Sequence, residues 1–170
     1  MVKSYALWVV PGGTAYHSLK NQISELSKEY NTVDFEPHVT IIGGLAGEEN
    51  KLVSKMEELA SAPPFEISLN KIGDSDEYFK CIFLECERNK ELMDLNRKAR
   101  VIFNHLKDPE FKPHLSLLYA ELKPELIKKI VDELKLKYSS GLNFGVADVR
   151  FMLTAQHPAV ELKKFELRKK

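Results

Sequence analysis

The eight residues Phe35-Glu36-Pro37-His38-Val39-Thr40-Ile41-Ile42 recur 76 residues further along as Phe111-Lys112-Pro113-His114-Leu115-Ser116-Leu117-Leu118. Phe, Pro and His keep their offsets, a hydroxyl residue follows each His by two, and apolar residues fill most of the remainder, so an internal duplication is the simplest account. Two imidazoles and two hydroxyls suit in-line cleavage of a phosphodiester. A neutral imidazole takes the proton of the attacking water while a protonated one gives a proton to the leaving ribose oxygen. Histidine does both near neutral pH because its ordinary pKa is about 6.5. Thr40 and Ser116 would donate hydrogen bonds to the non-bridging phosphate oxygens as charge builds there. This chemistry requires no metal and no cofactor. The spacing leaves open which of His38 and His114 is acid and which is base.

For these groups to meet, each H-x-[TS] must lie on a strand, where a period of two points His38 and Thr40 to one face and Val39 and Ile41 to the other. His114 and Ser116 stand in the same relation to Leu115 and Leu117. The surrounding pattern supplies such strands: aromatic and β-branched residues over 4–10, 39–42, 65–69, 78–86, 114–119, 142–154 and 160–167 read as β. Apolar residues at helical spacing over roughly 14–30, 52–59, 92–106 and 126–134 read as four helices, with Thr14 at the N-cap position of the first. The order β-α-β-α-β-β-α-β-α-β-β argues for an α+β fold with mostly antiparallel pairing. A single domain over 1–170 is expected, made of two lobes with one motif each.

Composition narrows the ligand. The chain has 170 residues, with 25 Lys+Arg balanced by 25 Asp+Glu, whereas proteins that grip long nucleic acids usually carry a strong positive excess. A small or locally bound ligand is the better expectation. The glycine pairs Gly12-Gly13 and Gly43-Gly44 lack the spacing of a nucleotide-cofactor loop. Cys81 and Cys86 fit no metal pattern and are too far apart on one strand to bridge, so both read as small packed side chains. No apolar run is long enough to cross a bilayer, and the first residues do not read as a secretory signal, so a cytoplasmic monomer without membrane contact is expected. The Lys-rich end after Lys163 reads as a solvated strand edge. His17, His105 and His157, which no hydroxyl residue follows by two, read as lying outside the chemistry.

The paired motifs resemble the 2H phosphoesterase superfamily. Within it, Pro113-His114-Leu115-Ser116-Leu117-Leu118-Tyr119-Ala120-Glu121-Leu122, the aromatic-Phe-x-Cys-x-Phe-Leu run over 78–84 and the Tyr5-Ala6-Leu7-Trp8 start resemble the cyclic phosphodiesterases of plants and yeast. The resemblance covers the chain from the first strand to the fourth helix. It implies a bilobal fold, with two mostly antiparallel sheets around a central cleft, helices outside and a pseudo-two-fold repeat. It also implies hydrolysis of nucleoside 2′,3′-cyclic phosphates, opened to 2′-phosphates, and of ADP-ribose 1″,2″-cyclic phosphate. His38 and His114 would be catalytic and Thr40 and Ser116 would bind the phosphate. Tyr119 matches a family tyrosine near the phosphate, although parity puts it on the face opposite His114 unless the strand ends there. Trp8 and one of Tyr78 or Phe79 match aromatics that could stack on a nucleobase, or they pack in the core. Gly43-Gly44 departs from the plant pattern at the rim of the cleft. Two other readings keep the same residues: an RNA-end 2′,3′-cyclic phosphodiesterase or 2′-5′ RNA ligase/phosphodiesterase, and a non-catalytic RNA-binding module.

Overall fold

A computed structural model describes residues 3–168. β1 (Tyr5–Val9) is buried along its whole length and leads through Pro11-Gly12 into α1 (Gly13–Glu29). The helix starts at Gly13, one residue before the expected Thr14 cap, with Gly12 in extended conformation as N-cap. Gly13 has φ +57°, in the left-handed region that glycine enters without steric cost. β2 (Val39–Leu45), α2 (Glu49–Leu59), β3 (Phe65–Asp74) and β4 (Ile82–Cys86) follow. Then come α3 (Lys90–Phe103), β5 (His114–Leu118) and α4 (Pro124–Lys137), with β6 (Leu142–Val146), β7 (Asp148–Leu153) and β8 (Val160–Glu166) closing the chain.

All eight strands join one sheet in the order β6-β3-β4-β5-β2-β1-β7-β8, and every pairing is antiparallel. The α+β class and antiparallel pairing read from sequence are therefore present. The two expected sheets are halves of one sheet, joined through the single register pair Val39↔Leu115 between β2 and β5. From that seam outward the halves correspond: β2 with β5, β1 with β4, β7 with β3, and β8 with β6.

Two expected strands are different in detail. The stretch 142–154 is broken at Ala147, so that β6 pairs with β3 in one half and β7 with β1 in the other. One alternating pattern cannot reveal that its two ends serve different partners. The stretch 78–86 begins as a short 3-10 turn, Tyr78–Lys80, before β4. Ser75 closes this turn by donating its hydroxyl to the Lys80 carbonyl at 2.8 Å.

The helices pack on one face of the sheet. α1, leaving β1, packs on β5, and α3, leaving β4, packs on β2, so these two helices tie the halves together, while α4, leaving β5, packs on β3 within its own half. Tyr5, Leu7, Val39, Ile41, Leu115 and Leu117 on this face are at most 1% exposed, and each such side chain contributes about 1.5–3 kcal/mol by leaving water. Asn96 on α3 is a buried polar residue in this layer. Its buried amide donates to the Ile41 carbonyl at 2.7 Å, pinning β2 at the residue after Thr40. Both cysteines are free and buried.

Candidate active site

The face away from the helices carries the paired motifs. Continuing the Val39↔Leu115 register one residue each way sets His38 across from Ser116 and Thr40 across from His114. The two imidazoles thus occupy a diagonal, with Cα atoms about 7–8 Å apart in a regular ladder. The two hydroxyls occupy the other diagonal.

Each imidazole is held in the same way. Nδ1 of His38 lies 2.6 Å from the Glu36 carbonyl and Nδ1 of His114 lies 2.8 Å from the Lys112 carbonyl. A carbonyl can only accept, so Nδ1–H donates in both rings and Nε2 is the nitrogen left for another partner. Nε2 carries a lone pair in the neutral ring and a proton in the charged one. In each copy the accepting carbonyl belongs to the residue before a proline, Pro37 or Pro113, whose ring restricts that residue's backbone to the extended region.

The neighbouring strand adds an aromatic to each ring. On β1, Trp8 pairs in register with Thr40 and stacks on His38 at 3.5 Å between centroids and 10° between planes. On β4, Phe83 pairs in register with Ser116 and meets His114 edge-on at 5.4 Å. Gly73 opposite Phe83 leaves room for that ring, since a β-carbon there would meet Phe83 Cε2 at 2.5 Å. Trp8 is 9% exposed with one face covered by His38, so it supports the imidazole directly. An indole face also favours the protonated ring.

The hydroxyls differ. Ser116 is buried and donates to the Phe79 carbonyl at 3.0 Å, whereas Thr40 is half-buried and makes no side-chain hydrogen bond among the described residues. Tyr119 follows the last residue of β5, so strand parity no longer governs it. It lines the same cavity of about 270 Å³ as His38, Trp8 and Phe79. Its ring stacks on Phe35 at 3.7 Å, and burial pushes its phenol well above the usual range, so it stays a protonated donor. Phe79 is 70% exposed and meets Tyr119 edge-on. Tyr78, on the same turn, lies against Phe79 and Tyr119 outside that cavity.

Burial pushes the His38 imidazole down to about 4, against the pull of the Glu36 carbonyl, and the nearby His114 lowers it further. Burial also lowers His114, which is less enclosed, with the Lys112 carbonyl opposing and the Lys80 ammonium adding to the shift. For His38 the stability consequence has a definite sign. The unfolded chain gains a proton below pH 6.5 that the folded chain refuses until about 4, so stability is full above pH 6.5 and is lost as pH falls toward 4. The loss amounts to about 3 kcal/mol. The unfolding free energy from urea titration should fall from pH 7 to pH 4 by that much more in the wild type than in His38→Gln. Equal losses in the two proteins would contradict the assignment.

Residues 1–145 match the family described as "Cyclic phosphodiesterase-like protein". The chain belongs to this family. It is 30% identical over 146 residues to the cyclic phosphodiesterase of Arabidopsis thaliana, covering 82% of this chain and 79% of the plant protein. It is 31% identical over 155 residues to the 2′,3′-cyclic-nucleotide 3′-phosphodiesterase of Kluyveromyces lactis, covering 76% of this chain and 73% of the yeast protein. The fold matches the crystal structure of E. coli LigT complexed with 3′-AMP, with a TM-score of 0.68 at 14% identity over 99% of this chain and 100% of that one. LigT has also been crystallised with NADP+ and with ATP. Membership makes this chain a cyclic phosphodiesterase, an enzyme that hydrolyses cyclic phosphate esters. Among the described residues, no helix is long and apolar enough to cross a membrane.

Several residues around the two motifs have no signal in the local sequence. Phe83 stands to His114 as Trp8 stands to His38, and its position on the strand beside the second motif was the available signal. Glu36 lines the His38 cavity while accepting from Tyr16 and pairing with Lys20. Thr154, Gln156 and His157 reach the same cavity from the β7–β8 turn, beyond the family-matched segment. Nε2 of His157 lies 3.1 Å from the Asp34 carbonyl. Nothing local in the sequence joins that turn to His38, because the contact depends on β7 pairing with β1.

Proposed function

We propose that this phosphodiesterase opens nucleoside 2′,3′-cyclic phosphates to 2′-phosphates, with ADP-ribose 1″,2″-cyclic phosphate as a second substrate, using His38 and His114 as the acid–base pair. One Nε2 takes a proton from water as its oxygen bonds to phosphorus. The P–O3′ bond breaks, and the other Nε2 gives its proton to O3′. Thr40 and Ser116 hold the non-bridging oxygens, Trp8 supports His38, and Phe79 with Tyr119 offers the base an aromatic cavity.

The observation that carries this reading is the matched anchoring of the two imidazoles by carbonyls two residues upstream, which leaves both Nε2 atoms for the substrate. The 30%-identical plant relative and the yeast 2′,3′-cyclic-nucleotide 3′-phosphodiesterase support the substrate class. The chemistry needs no metal. The four 2′,3′-cyclic nucleotides, ADP-ribose 1″,2″-cyclic phosphate and an RNA end with a cyclic phosphate should therefore be assayed in EDTA, with the product isomer identified by NMR. Turnover of the cyclic nucleotides to 2′-phosphates at an undiminished rate is expected. A 3′-phosphate product, or loss of activity on chelation, would overturn the mechanism.

A further inference from the structure

The two sides of the cleft are chemically unlike. On the His38 side the cavity of about 270 Å³ is lined by Trp8, Phe35, Phe79 and Tyr119. On the other side His114 lines two spaces, of about 770 Å³ and about 330 Å³, and Lys80 and Lys112 border both.

Apart from Glu77, which makes no ion pair among the described residues, the other charges on the His114 side are committed. Arg88 pairs with Glu110 at 2.7 Å and Glu85 with Lys71 at 3.3 Å. Arg100 donates to the backbone carbonyls of Asp108 and Pro109, and the Asp108 carboxylate meets His105. Glu77 is the other acid on this rim. Lys80 and Lys112 make no ion pair among the described residues. The Lys80 ammonium rests 4.7 Å above the Phe83 ring. Two cations without partners therefore flank the imidazole that would face the cyclic phosphate.

Ribose chemistry says what they would meet. The base is borne at C1′ and the 5′ oxygen by way of C4′, at the two ends of the C2′–C3′ edge that carries the cyclic phosphate, both on the ring face opposite it. A nucleotide with its cyclic phosphate between His38 and His114 and its base among the aromatics sends its 5′ oxygen toward Lys80 and Lys112.

We propose that Lys80 and Lys112 form a subsite for a second phosphate group, the one borne on the substrate's 5′ oxygen. The inference rests on the placement of the cyclic phosphate argued above. The preferred substrate is then a nucleotide phosphorylated at both ends of its ribose, either as the terminus of an RNA chain or as part of a pyrophosphate-linked nucleotide. The shared feature is an anionic ester on the 5′ side.

The test compares adenosine 2′,3′-cyclic phosphate carrying a 5′-phosphate with the same ester carrying a 5′-hydroxyl, read as the ratio of their kcat/KM values. A charge-assisted contact predicts a ratio of about 10 or more in the wild type. The ratio should fall with added salt and approach one in Lys80→Met/Lys112→Met. Any general loss of activity cancels in the ratio. Dissociation constants for adenosine 2′,5′-bisphosphate and adenosine 2′-phosphate should show the same discrimination in calorimetry, whether or not turnover is seen. A short oligoribonucleotide ending in a cyclic phosphate and ADP-ribose 1″,2″-cyclic phosphate separate the two sources by which of them loses its advantage in the double variant. Wild-type ratios near one, or ratios unchanged by the lysine substitutions, would overturn the subsite. Absence of turnover with an intact binding ratio would instead overturn the proposed reaction and leave the subsite standing.

Discussion

His38→Gln and His114→Gln should each lower kcat by about 10²–10⁴-fold on a nucleoside 2′,3′-cyclic phosphate, because in the proposed mechanism each removes one of two proton transfers. The double variant should be far less than the product of the two losses worse, since the residues act as a unit. Glutamine fills much of the imidazole's space on each strand, and circular dichroism with urea titration separates loss of chemistry from loss of fold. The pH dependence carries a second signature. The proposed reaction needs one imidazole neutral and the other charged. Both are held below the ordinary value in the free protein, His38 at about 4. The kcat/KM optimum should therefore lie below pH 6.5, with the rate falling tenfold per unit on the alkaline side as the acid loses its proton. Each single variant should lose one limb of the bell, and which limb it loses names that histidine as acid or base. An optimum above pH 7.5, or near-wild-type turnover in either variant, would contradict the pair.

Thr40→Val should lower kcat by about 10²–10³-fold with a small change in KM, because the Thr40 hydroxyl makes no side-chain hydrogen bond among the described residues and would serve the charge that develops on phosphate. Valine preserves the branched shape that β2 accepts. Ser116→Ala should behave differently. Its hydroxyl hydrogen is committed to the Phe79 carbonyl in the free protein, so to reach phosphate it must release the turn that carries Phe79 and Tyr78. Alanine removes the hydroxyl and loosens that turn together, and the expected result is a raised KM beside a smaller fall in kcat. Steady-state kinetics on one cyclic nucleotide decides the matter. Equal effects in kcat alone would mean that the two hydroxyls act symmetrically and that the Phe79 contact has no bearing on binding.

The centre of the proposed site is legible because its parts are local. A histidine, a hydroxyl two residues on and a proline one residue before are a strand's own geometry, and their recurrence marked both copies. Tyr119 was half legible: parity alone put it on the wrong face, and the end of β5 at Leu118 returns it to the cavity. Tyr78 and Phe79 read as strand because aromatic residues favour strands, yet Ser75 closes them into a turn that sends Phe79 to the cavity and leaves Tyr78 beside it. The break at Ala147 was hidden because residues on both sides of it alternate correctly for a strand.

From sequence alone came the α+β class, the antiparallel preference, the two motif strands and the four side chains His38, Thr40, His114 and Ser116. All of these follow from periodicities and repeats read within a few residues. The tertiary structure decided how the motifs face each other, through one register pair at Val39↔Leu115. It also decided which residues surround them: Trp8 and Phe83 from neighbouring strands, the 154–159 turn on the His38 side, and Lys80 and Lys112 on the other. Those neighbours come from pairings between strands distant in the chain, and pairing partners are chosen by the packing of the whole sheet against its helices rather than by any local pattern.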